Sequence, residues 1–343
     1  MKLLFAAGGT GGHILPALTL AEELRRRGHE VCWAGRADGM EAGLVRARDI
    51  EFEPVPAAGL AGKSLPRKAA WPFVMTRGLA ASLALLGRRM PDAVVAAGGY
   101  VGAGPLAAAR LRGVPYFLLE QNRIPGRVTR LFAPRARRVM LAFPTLAPLK
   151  ADALVTGNPL RPEIVTDGRV DDGRTVLVLG GSLGARALSL AALDAADVLT
   201  GVRFILLTGR RDFDLVRSQL RTGNVELVDF TDRPHELYRR ATVAVSRAGG
   251  MVLSELVAFG IPAILVPYPH ATDRHQEANA QYLASLGAAS ILDQHRLSGF
   301  TSELKRLLDD EGRRRRMSDA ARKAARPDAA TVIAGEIEKC LAG

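Results

Sequence analysis

The chain has 343 residues, of which 48% are hydrophobic and only 5% aromatic, and its formal net charge is +12. That hydrophobic fraction excludes a largely disordered chain, and the length suffices for two domains of roughly 150 residues each. Two cysteines, Cys32 and Cys340, are too few for a disulfide framework or a zinc site, and they fit a reducing cytosol.

The excess of Lys and Arg over acids favours an anionic partner, although a solvated arginine-rich surface explains it equally well. Residues 313–316, four arginines in a row, are typical of a solvated helix face. Nucleic acid is disfavoured as a partner because the basic residues are not interleaved with stacking aromatics. The opening segment has no signal-peptide pattern, and no apolar run approaches the roughly 18–20 residues that would span a bilayer.

In the first half of the chain, short apolar runs alternate with amphipathic stretches. The run at 2–7 predicts a buried strand, and Ile14, Leu18, Ala21 and Leu24 have the spacing of one helix face over 14–27. Four more strands are predicted, at 30–34, 93–97, 116–120 and 138–143. This βαβ rhythm is typical of a parallel sheet covered by helices on both faces.

The same pattern restarts after residue 174, with predicted strands at 175–179, 203–207, 225–230, 243–246 and 263–266. Two such halves predict an α/β chain of two Rossmann-like domains, 1–158 and 159–327, with a hinge near 158–162. For the last helix, 328–343, packing back on the first domain is an open alternative.

Three glycine-rich loops each follow a predicted strand, at 8–13, 98–104 and 180–186. The first fails the dinucleotide-binding fingerprint, because the third glycine would fall at Ile14 and the next strand ends at 32–36 with no acid for a ribose. It also lacks the Gly-Lys-Ser/Thr of a P-loop. Because strand ends converge at the crevice of open α/β sheets, two loops from one domain and one from the other predict a cleft for two substrates.

Two later segments are candidates for binding a nucleotide sugar. In 246–255 a strand ends, a glycine pair turns the chain and a helix begins, so that its amides can meet a phosphate. Glu255, one turn into this helix, either accepts the two hydroxyls of a ribose or is a solvated first-turn glutamate. The polar run 273–279 either reads sugar hydroxyls or only caps a helix with Asp273.

Taken together, these segments resemble the peptidoglycan N-acetylglucosaminyltransferases of the GT-B superfamily, glycosyltransferase family 28. The resemblance extends over nearly the whole chain. It rests on GGTGGH at 8–13, GGYVGAGP at 98–105, EQN at 120–122, GNPLRPE at 157–163, GGSLGAR at 180–186, SRAGGMVLSE at 246–255 and DRHQEAN at 273–279. It implies a GT-B fold, with two Rossmann-like domains facing each other across a cleft. The first domain would bind acceptor and membrane, and the second would bind UDP-N-acetylglucosamine.

The implied reaction is inverting transfer of N-acetylglucosamine from the UDP-sugar to the C4 hydroxyl of N-acetylmuramic acid. The acceptor would be undecaprenyl-diphospho-muramyl-pentapeptide, which is converted from lipid I to lipid II in peptidoglycan synthesis. The resemblance also implies the donor contacts, which are Thr10, Gly11, Gly12, Asn122, Arg161, Ser182, Thr231, Gly250, Met251, Val252, Leu253, Ser254, Glu255 and Gln276.

Within that set, the resemblance gives several residues a role. The Thr231 backbone would read the uracil and Glu255 would hold the ribose. Ser182 and the helix start at 250–254 would bind the pyrophosphate, and Gln276 would contact the sugar hydroxyls. Asn122 and the first glycine loop would lie near the transferred sugar, with Tyr100 on the acceptor side.

Two positions depart from the family pattern. Leu119 stands where many relatives carry a histidine before Glu-Gln-Asn, so an imidazole at that place is not essential in this protein. Ala248 stands where a serine is common, which removes one hydroxyl near the phosphates.

The reaction needs a base for the acceptor hydroxyl and positive charge for the departing diphosphate. His13, at the tip of the first glycine loop, is the candidate base, and binding of the acceptor diphosphate or capping of the loop are the alternatives. Two groups can stabilise the charge of the leaving group without a metal or cofactor. They are the N-terminus of the helix after Gly249 and the side chain of Arg161. The only Asp-x-Asp sequence, 212–214, has the pattern of a solvated helix start rather than a metal site.

Membrane contact is predicted in 62–90. Basic residues there precede an aromatic pair, which suits a peripheral anchor on anionic lipid at the cytoplasmic face of the plasma membrane. These residues are Lys63, Arg67, Lys68, Trp71 and Phe73. For Trp71 and Phe73 the surface is favoured over the core. For the stripe Leu79, Leu83 and Leu86 the core is favoured.

Two other classes of function stay open at this point. One keeps the fold but changes the reaction, to a UDP-sugar epimerase or a transferase with a soluble acceptor. The basic and aromatic segment argues for a lipid acceptor, which an epimerase does not need. The other is a non-catalytic or dinucleotide-dependent protein, and the incomplete dinucleotide fingerprint counts against it.

Overall fold

The computed structural model describes residues 1–59, 70–166, 168–170, 172–180 and 185–342. It divides the chain into two compact units. Unit 1 comprises Met1–Arg161 together with Asp328–Gly343, and unit 2 comprises Pro162–Pro327. The boundary thus lies within the segment 158–162 that was predicted as a hinge, and the C-terminal helix belongs to unit 1.

Unit 1 is built on a seven-stranded parallel sheet with the order β3-β2-β1-β4-β5-β6-β7. Its strands are β1 Lys2–Ala6, β2 Glu30–Gly35, β3 Glu51–Pro54, β4 Ala93–Ala96, β5 Tyr116–Glu120, β6 Arg138–Leu141 and β7 Ala153–Val155. The sequence pattern predicted five of these strands to within two residues at either end. It did not predict β3 and β7, which are short and lie at the two edges of the sheet.

The helices of unit 1 cover both faces of this sheet. They are α1 Gly11–Arg26, α2 Met40–Arg46, α3 Trp71–Arg89, α4 Ala103–Arg112, α5 Arg127–Phe132 and the C-terminal helix, which is labelled α14 below, Ala329–Ala342. Helix α1 begins at Gly11, earlier than the predicted start at 14, so the second glycine pair of the first loop is helical.

The two faces of β1 show how the core forms. Leu3 and Phe5 point into one buried cluster, and Leu4 and Ala6 point into the other, because successive side chains of a strand alternate between faces. Both faces are therefore apolar, which is why the strand is a continuous hydrophobic run.

Helix α14 completes unit 1 by packing against α1. Its residues Ile333, Ala334 and Ile337 are fully buried in the same cluster as Leu3 and Phe5. At the edge of this contact, Glu338 accepts a hydrogen bond from Arg27 at 2.8 Å and is hydrogen-bonded to His29 at 2.8 Å. Apolar packing and a charged cluster thus attach the end of the chain to its beginning.

Unit 2 is built on a six-stranded parallel sheet with the order β10-β9-β8-β11-β12-β13. Its strands are β8 Thr175–Leu179, β9 Arg203–Leu207, β10 Val225–Val228, β11 Val243–Ser246, β12 Ala263–Leu265 and β13 Ala289–Ile291. The sequence predicted the first five, with β10 and β12 ending earlier than expected, and missed the edge strand β13.

The helices of unit 2 lie on its two sheet faces. They are α6 Pro162–Thr166, α7 Arg186–Val198, α8 Phe213–Ser218, α9 Pro234–Arg240, α10 Gly250–Ala258, α11 His275–Ser285, α12 Phe300–Asp309 and α13 Glu311–Ala324. The arginines 313–316 lie in the first two turns of α13. Arg313 and Arg314 are only half exposed, because Arg313 pairs with Glu303 at 3.0 Å and Arg314 donates to the Leu307 carbonyl at 3.1 Å. The face predicted to be solvated is therefore only half exposed at these two residues.

No helix among the residues that the structure describes is both long enough and apolar enough to cross a membrane.

Candidate functional site

In unit 1 the predicted site residues converge on one edge of the sheet. Strands β1, β4 and β5 are parallel neighbours, so the loops that follow them leave the sheet on the same side. The first glycine loop follows β1, the second follows β4, and Gln121 and Asn122 follow β5. This is the position at which ligands bind in open α/β sheets.

A buried carboxylate stabilises the first glycine loop through hydrogen bonds to the backbone. Glu41 is fully buried and accepts hydrogen bonds from the backbone N–H of Arg36 at 3.0 Å and of Gly9 at 3.4 Å. A Cβ at Gly8 would lie 2.4 Å from a Glu41 oxygen, so a side chain there would displace this carboxylate. Thr10 then adopts an extended conformation as the residue before α1, and its side chain makes no capping hydrogen bond.

The imidazole of His13 lies at the start of α1 and contacts both neighbouring loops. Its Nδ1 is 2.9 Å from Oε1 of Gln121, and its ring lies against the backbone of Gly98 and Gly99. Gly98 has a φ of +62°, and a Cβ there would come within 3.1 Å of the ring. The second glycine loop is therefore shaped to accept this histidine.

Glu120 organises the loop that carries Asn122. Its buried carboxylate accepts from the backbone N–H of Asn122 at 3.0 Å, from the N–H of Gly126 at 2.9 Å and from the Thr129 hydroxyl at 2.7 Å. The Asn122 side chain also donates to it at 3.4 Å. In the Glu-Gln-Asn motif the glutamate thus supports the loop.

Tyr100 is positioned by an arginine from the β2 side. Its hydroxyl accepts a hydrogen bond from Arg36 at 2.9 Å, and its ring faces Gly9 of the first loop. Hydrogen bonding to Asp38 and to Tyr100 holds the pKa of Arg36 above its ordinary value. Arg36 therefore places a permanent positive charge beside Tyr100, the residue predicted to contact the acceptor substrate.

In unit 2 the helix α10 begins directly after β11. Its first N–H groups have no acceptor inside the helix, and no acidic residue lies in its first turn, so this end of the helix favours an anion. Within the predicted donor set, Met251 and Leu253 have buried side chains, and the Leu253 N–H donates to the Gly249 carbonyl at 3.0 Å. Leu253 therefore packs the core, and the amides at the very start of α10 are the groups that can meet a phosphate.

Glu255 is buried, with 5% of its surface exposed. One carboxylate oxygen accepts a hydrogen bond from the Tyr238 hydroxyl at 2.6 Å. Of the two interpretations of this residue, the solvated first-turn glutamate is wrong. A buried carboxylate oriented by a tyrosine is suited to accepting further hydrogen bonds.

Gln276 joins two loops of unit 2. Its carbonyl oxygen accepts from the backbone N–H of Tyr268 at 2.9 Å and of Ala248 at 3.3 Å, which leaves the amide nitrogen as its remaining donor. Asn279, one turn later, donates to the Ala248 carbonyl at 3.0 Å. The polar residues of α11 therefore fix the turn before α10.

The alternative role of Asp273 as a helix cap is wrong. Helix α11 begins at His275, and the residue before it is Arg274, with no side-chain capping bond. Asp273 itself has a φ of +53° in a short 3₁₀ turn.

Within unit 2 the structure places Thr231 apart from these groups. Thr231 follows β10 at the far edge of the sheet, where its hydroxyl accepts from the Arg233 N–H at 3.0 Å. Arg161 is half-buried and is the residue after which unit 2 begins along the chain. Ser182, Lys63, Arg67 and Lys68 lie outside the residues that the structure describes.

The two aromatic residues predicted for membrane contact differ in exposure. Phe73 is 66% exposed, near the start of α3. Trp71 is half-buried and its indole N–H donates to the Ala58 carbonyl at 2.9 Å. In the stripe that follows, Leu86 is buried and Leu79 and Leu83 pack partly against the core, as expected.

The Asp-x-Asp sequence begins with a structural acid. Asp212 is fully buried and accepts from Arg186 at 3.1 Å and from Arg211 at 3.3 Å. Burial raises its pKa, but these hydrogen bonds outweigh burial and hold the pKa below its ordinary value. The prediction of a solvated acid is wrong for Asp212. Within the described ranges no cluster of three or more potential metal-binding side chains occurs.

Among the residues of this arrangement that were not predicted as site residues are Gln121, Tyr238 and Asn279. Gln121 and Asn279 stand inside the motifs EQN and DRHQEAN, so a signal was present in the sequence. Tyr238 has no motif around it, and only its contact with Glu255 identifies it.

Comparison with known proteins identifies relatives of both units. The model of the glycosyltransferase family 28 N-terminal domain matches residues 3–141, and that of the family 28 C-terminal domain matches residues 175–333. The two matches together span well over half of the chain.

Curated relatives and a solved structure match over almost the full length. An enzyme of Methylococcus capsulatus is 43% identical over 97% of both chains, and one of Idiomarina loihiensis is 36% identical over 98% of this chain and 97% of the relative. Both are named UDP-N-acetylglucosamine–N-acetylmuramyl-(pentapeptide) pyrophosphoryl-undecaprenol N-acetylglucosamine transferase. The crystal structure of Acinetobacter baumannii MurG is 28% identical, with a TM-score of 0.80 over 98% of this chain and 99% of that one. Each unit of this chain thus has the Rossmann-like architecture found in GT-B glycosyltransferases.

Proposed function

The chain belongs to glycosyltransferase family 28, and we propose that it makes lipid II of peptidoglycan synthesis. It transfers N-acetylglucosamine from UDP-N-acetylglucosamine to the C4 hydroxyl of N-acetylmuramic acid in undecaprenyl-diphospho-muramyl-pentapeptide. The observation that carries this assignment is the full-length similarity to transferases of that named specificity. A soluble acceptor or an epimerase reaction has no comparable support.

Unit 2 is the donor domain in this proposal. The amides at the start of α10, together with Ser182, bind the pyrophosphate, because a helix N-terminus without an acid favours an anion. Glu255 accepts the ribose hydroxyls with the carboxylate that Tyr238 orients. The Gln276 amide nitrogen donates to a sugar hydroxyl, since its oxygen is engaged by backbone. The Thr231 backbone pairs with the uracil.

Unit 1 supplies the chemistry on the acceptor. The C4 hydroxyl oxygen attacks the anomeric carbon, the bond from that carbon to the diphosphate oxygen breaks, and the configuration inverts. His13 takes the hydroxyl proton, and UDP leaves with the electron pair of the broken bond. Thr10, Gly11, Gly12 and Asn122 surround this step, and Tyr100, beside Arg36, contacts the acceptor.

The charge that develops on UDP needs no metal in this proposal. The helix start at Gly250 and the Arg161 guanidinium stabilise it, because a helix N-terminus and a guanidinium both favour an anionic diphosphate. Asp212 takes no part, since its carboxylate is buried and engaged by arginines.

Membrane binding occurs through the start of α3 and the basic segment before it. Phe73 is exposed beside Trp71, and Lys63, Arg67 and Lys68 precede them in the sequence. An aromatic side chain with nearby cations suits a peripheral contact with anionic lipid at the cytoplasmic face.

The test of the reaction is transfer of radiolabelled N-acetylglucosamine from UDP to a short-chain analogue of the lipid acceptor. We expect labelled lipid product, and a His13→Ala variant should lose roughly 10²- to 10⁴-fold in turnover, the usual contribution of a positioned base. Near-normal turnover by that variant would remove His13 as the base. No product from folded protein that binds UDP would point instead to another acceptor or to epimerisation.

The membrane contact is tested by flotation with vesicles that contain anionic phospholipid. A Trp71→Ser, Phe73→Ser double variant should float less than wild type. Val198→Ser, in unit 2, serves as the control, because Val198 is an apolar residue with 67% of its surface exposed, close to the 66% of Phe73. Unchanged flotation of the double variant would place the anchor elsewhere.

A further inference from the structure

Gln121 is a buried polar residue to which the proposed reaction gives no role. It follows β5 directly and is 3% exposed. Its side chain makes two hydrogen bonds, one to the Leu119 carbonyl and one to His13. A buried amide with both ends engaged has one fixed orientation, because any other arrangement would leave a polar atom without a partner.

That orientation determines which nitrogen of His13 carries a proton. The Gln121 amide nitrogen donates to the Leu119 carbonyl at 3.4 Å, so the amide oxygen faces His13. An amide oxygen can only accept, and Nδ1 of His13 lies 2.9 Å from it, so Nδ1 is the donor. A neutral imidazole has a single N–H, which leaves Nε2 with a lone pair.

The second glycine loop packs closely against the His13 ring. A Cβ at Gly98 would lie 3.1 Å from Cε1 and 3.2 Å from Nδ1 of His13, and one at Gly99 would lie 3.4 Å from Cδ2. Turning the ring over would exchange Nδ1 with Cδ2 and place a carbon against the Gln121 oxygen. The close glycine backbone restricts where the ring plane can lie, and the hydrogen bond with Gln121 selects which way round the ring lies in that plane.

We propose that Gln121 is a positioning residue that keeps His13 in the tautomer with its proton on Nδ1. This inference rests on the proposed function, in which His13 is the base. In transfer, the acceptor hydroxyl proton moves to the Nε2 lone pair while the oxygen bonds to the anomeric carbon and UDP leaves. The resulting imidazolium still donates from Nδ1 to Gln121, so the contact is kept through the step. In the opposite tautomer Nε2 carries the proton, so it has no lone pair to accept the hydroxyl proton.

Two substitutions separate this role from packing. Gln121→Met is close in size and has no hydrogen-bond acceptor of comparable strength. Gln121→Glu keeps an oxygen for Nδ1–H. Both variants lose the bond to the Leu119 carbonyl, so a purely structural role would affect them alike.

The first readout is the tautomer of His13 in the full chain without substrate. Ring ¹⁵N spectra of histidine-labelled protein are recorded at about pH 8.5, above the ordinary histidine pKa of about 6.5. The chain has six histidines, and His13→Gln assigns the signal of interest. Wild type and Gln121→Glu should show a protonated Nδ1 and an unprotonated Nε2, whereas Gln121→Met should show a mixture or the opposite tautomer.

The second readout is transfer to the short-chain acceptor analogue, with kcat and KM measured separately. Gln121→Met should lose about 10- to 100-fold in kcat, which is part of what a positioned base contributes. The KM for the donor and the KM for the acceptor should change little. Gln121→Glu should recover most of that loss. Equal loss in both variants, or an unchanged tautomer in Gln121→Met, would overturn the inference. Absence of transfer in wild type would overturn the proposed function, while the spectra would still decide the tautomer.

Discussion

Replacement of Glu255 by glutamine tests the proposed donor site most directly. The carboxylate is 5% exposed, and the Tyr238 hydroxyl donates to one of its oxygens at 2.6 Å. Glutamine keeps the size and one acceptor oxygen but replaces the other oxygen with a donor. If the carboxylate accepts from both ribose hydroxyls, one bond to a charged acceptor is lost, which costs about 1.5–3 kcal/mol. The dissociation constant for UDP should therefore rise about 10- to 150-fold.

The assay is calorimetric titration of wild type and Glu255→Gln with UDP and with 2′,3′-dideoxy-UDP. The dideoxy ligand has no ribose hydroxyls, so both proteins should bind it with similar affinity. Glu311→Gln, which makes the same charge change at an exposed ion pair of α13, is the control and should bind UDP like wild type. Equal weakening of both ligands by Glu255→Gln would mean that the substitution acts through the fold. Unchanged UDP affinity would show that the carboxylate does not hold the ribose.

Two further predictions concern unit 1. Gly98→Ala should destabilise the protein by about 1–2 kcal/mol, because its φ is +62°, and should also lower transfer at least about tenfold, because the new Cβ displaces His13. Gly113→Ala is the control, because Gly113 has a φ of +70° but open space around it. It should show the same loss of stability in urea unfolding but keep normal transfer. A matching loss of transfer in Gly113→Ala would contradict this explanation. The hydrogen bond with His29 lowers the pKa of Glu338 in the folded protein. The ionised carboxylate therefore stabilises the fold at a pH above its unfolded-state pKa of about 4.3. This contribution is lost as the pH falls through the folded-state pKa. The unfolding free energies of wild type and Glu338→Gln should therefore differ near neutral pH and converge in acid, and a constant difference would refute the assignment.

Burial explains which elements the sequence pattern could predict. A strand in the middle of a parallel sheet is covered on both faces, so it appears as an uninterrupted apolar run, as in Thr175–Leu179. The strands that were missed, Glu51–Pro54, Ala153–Val155 and Ala289–Ile291, lie at sheet edges and are only partly buried. Their short, mixed sequences show no such run, so only pairing with a neighbour identifies them as strands.

The same contrast applies to acidic residues. Glu255 and Asp212 each stand near the start of a helix, where a solvated carboxylate is the ordinary expectation. Both are buried, because a tyrosine in one case and two arginines in the other supply hydrogen bonds. Those partners come from other elements, so residue type and position along the helix could not reveal them.

The sequence by itself determined the two parallel-sheet units and placed the glycine loops and motif residues at strand ends. It could do so because these features depend on local patterns of apolar residues and glycine. The tertiary structure decided how those residues are oriented. The contact of His13 with Gln121 joins residues 108 positions apart, and that of Asn279 with Ala248 joins residues 31 positions apart. Such contacts depend on which strands become neighbours in the sheet, and strand order is set by the packing of the whole unit.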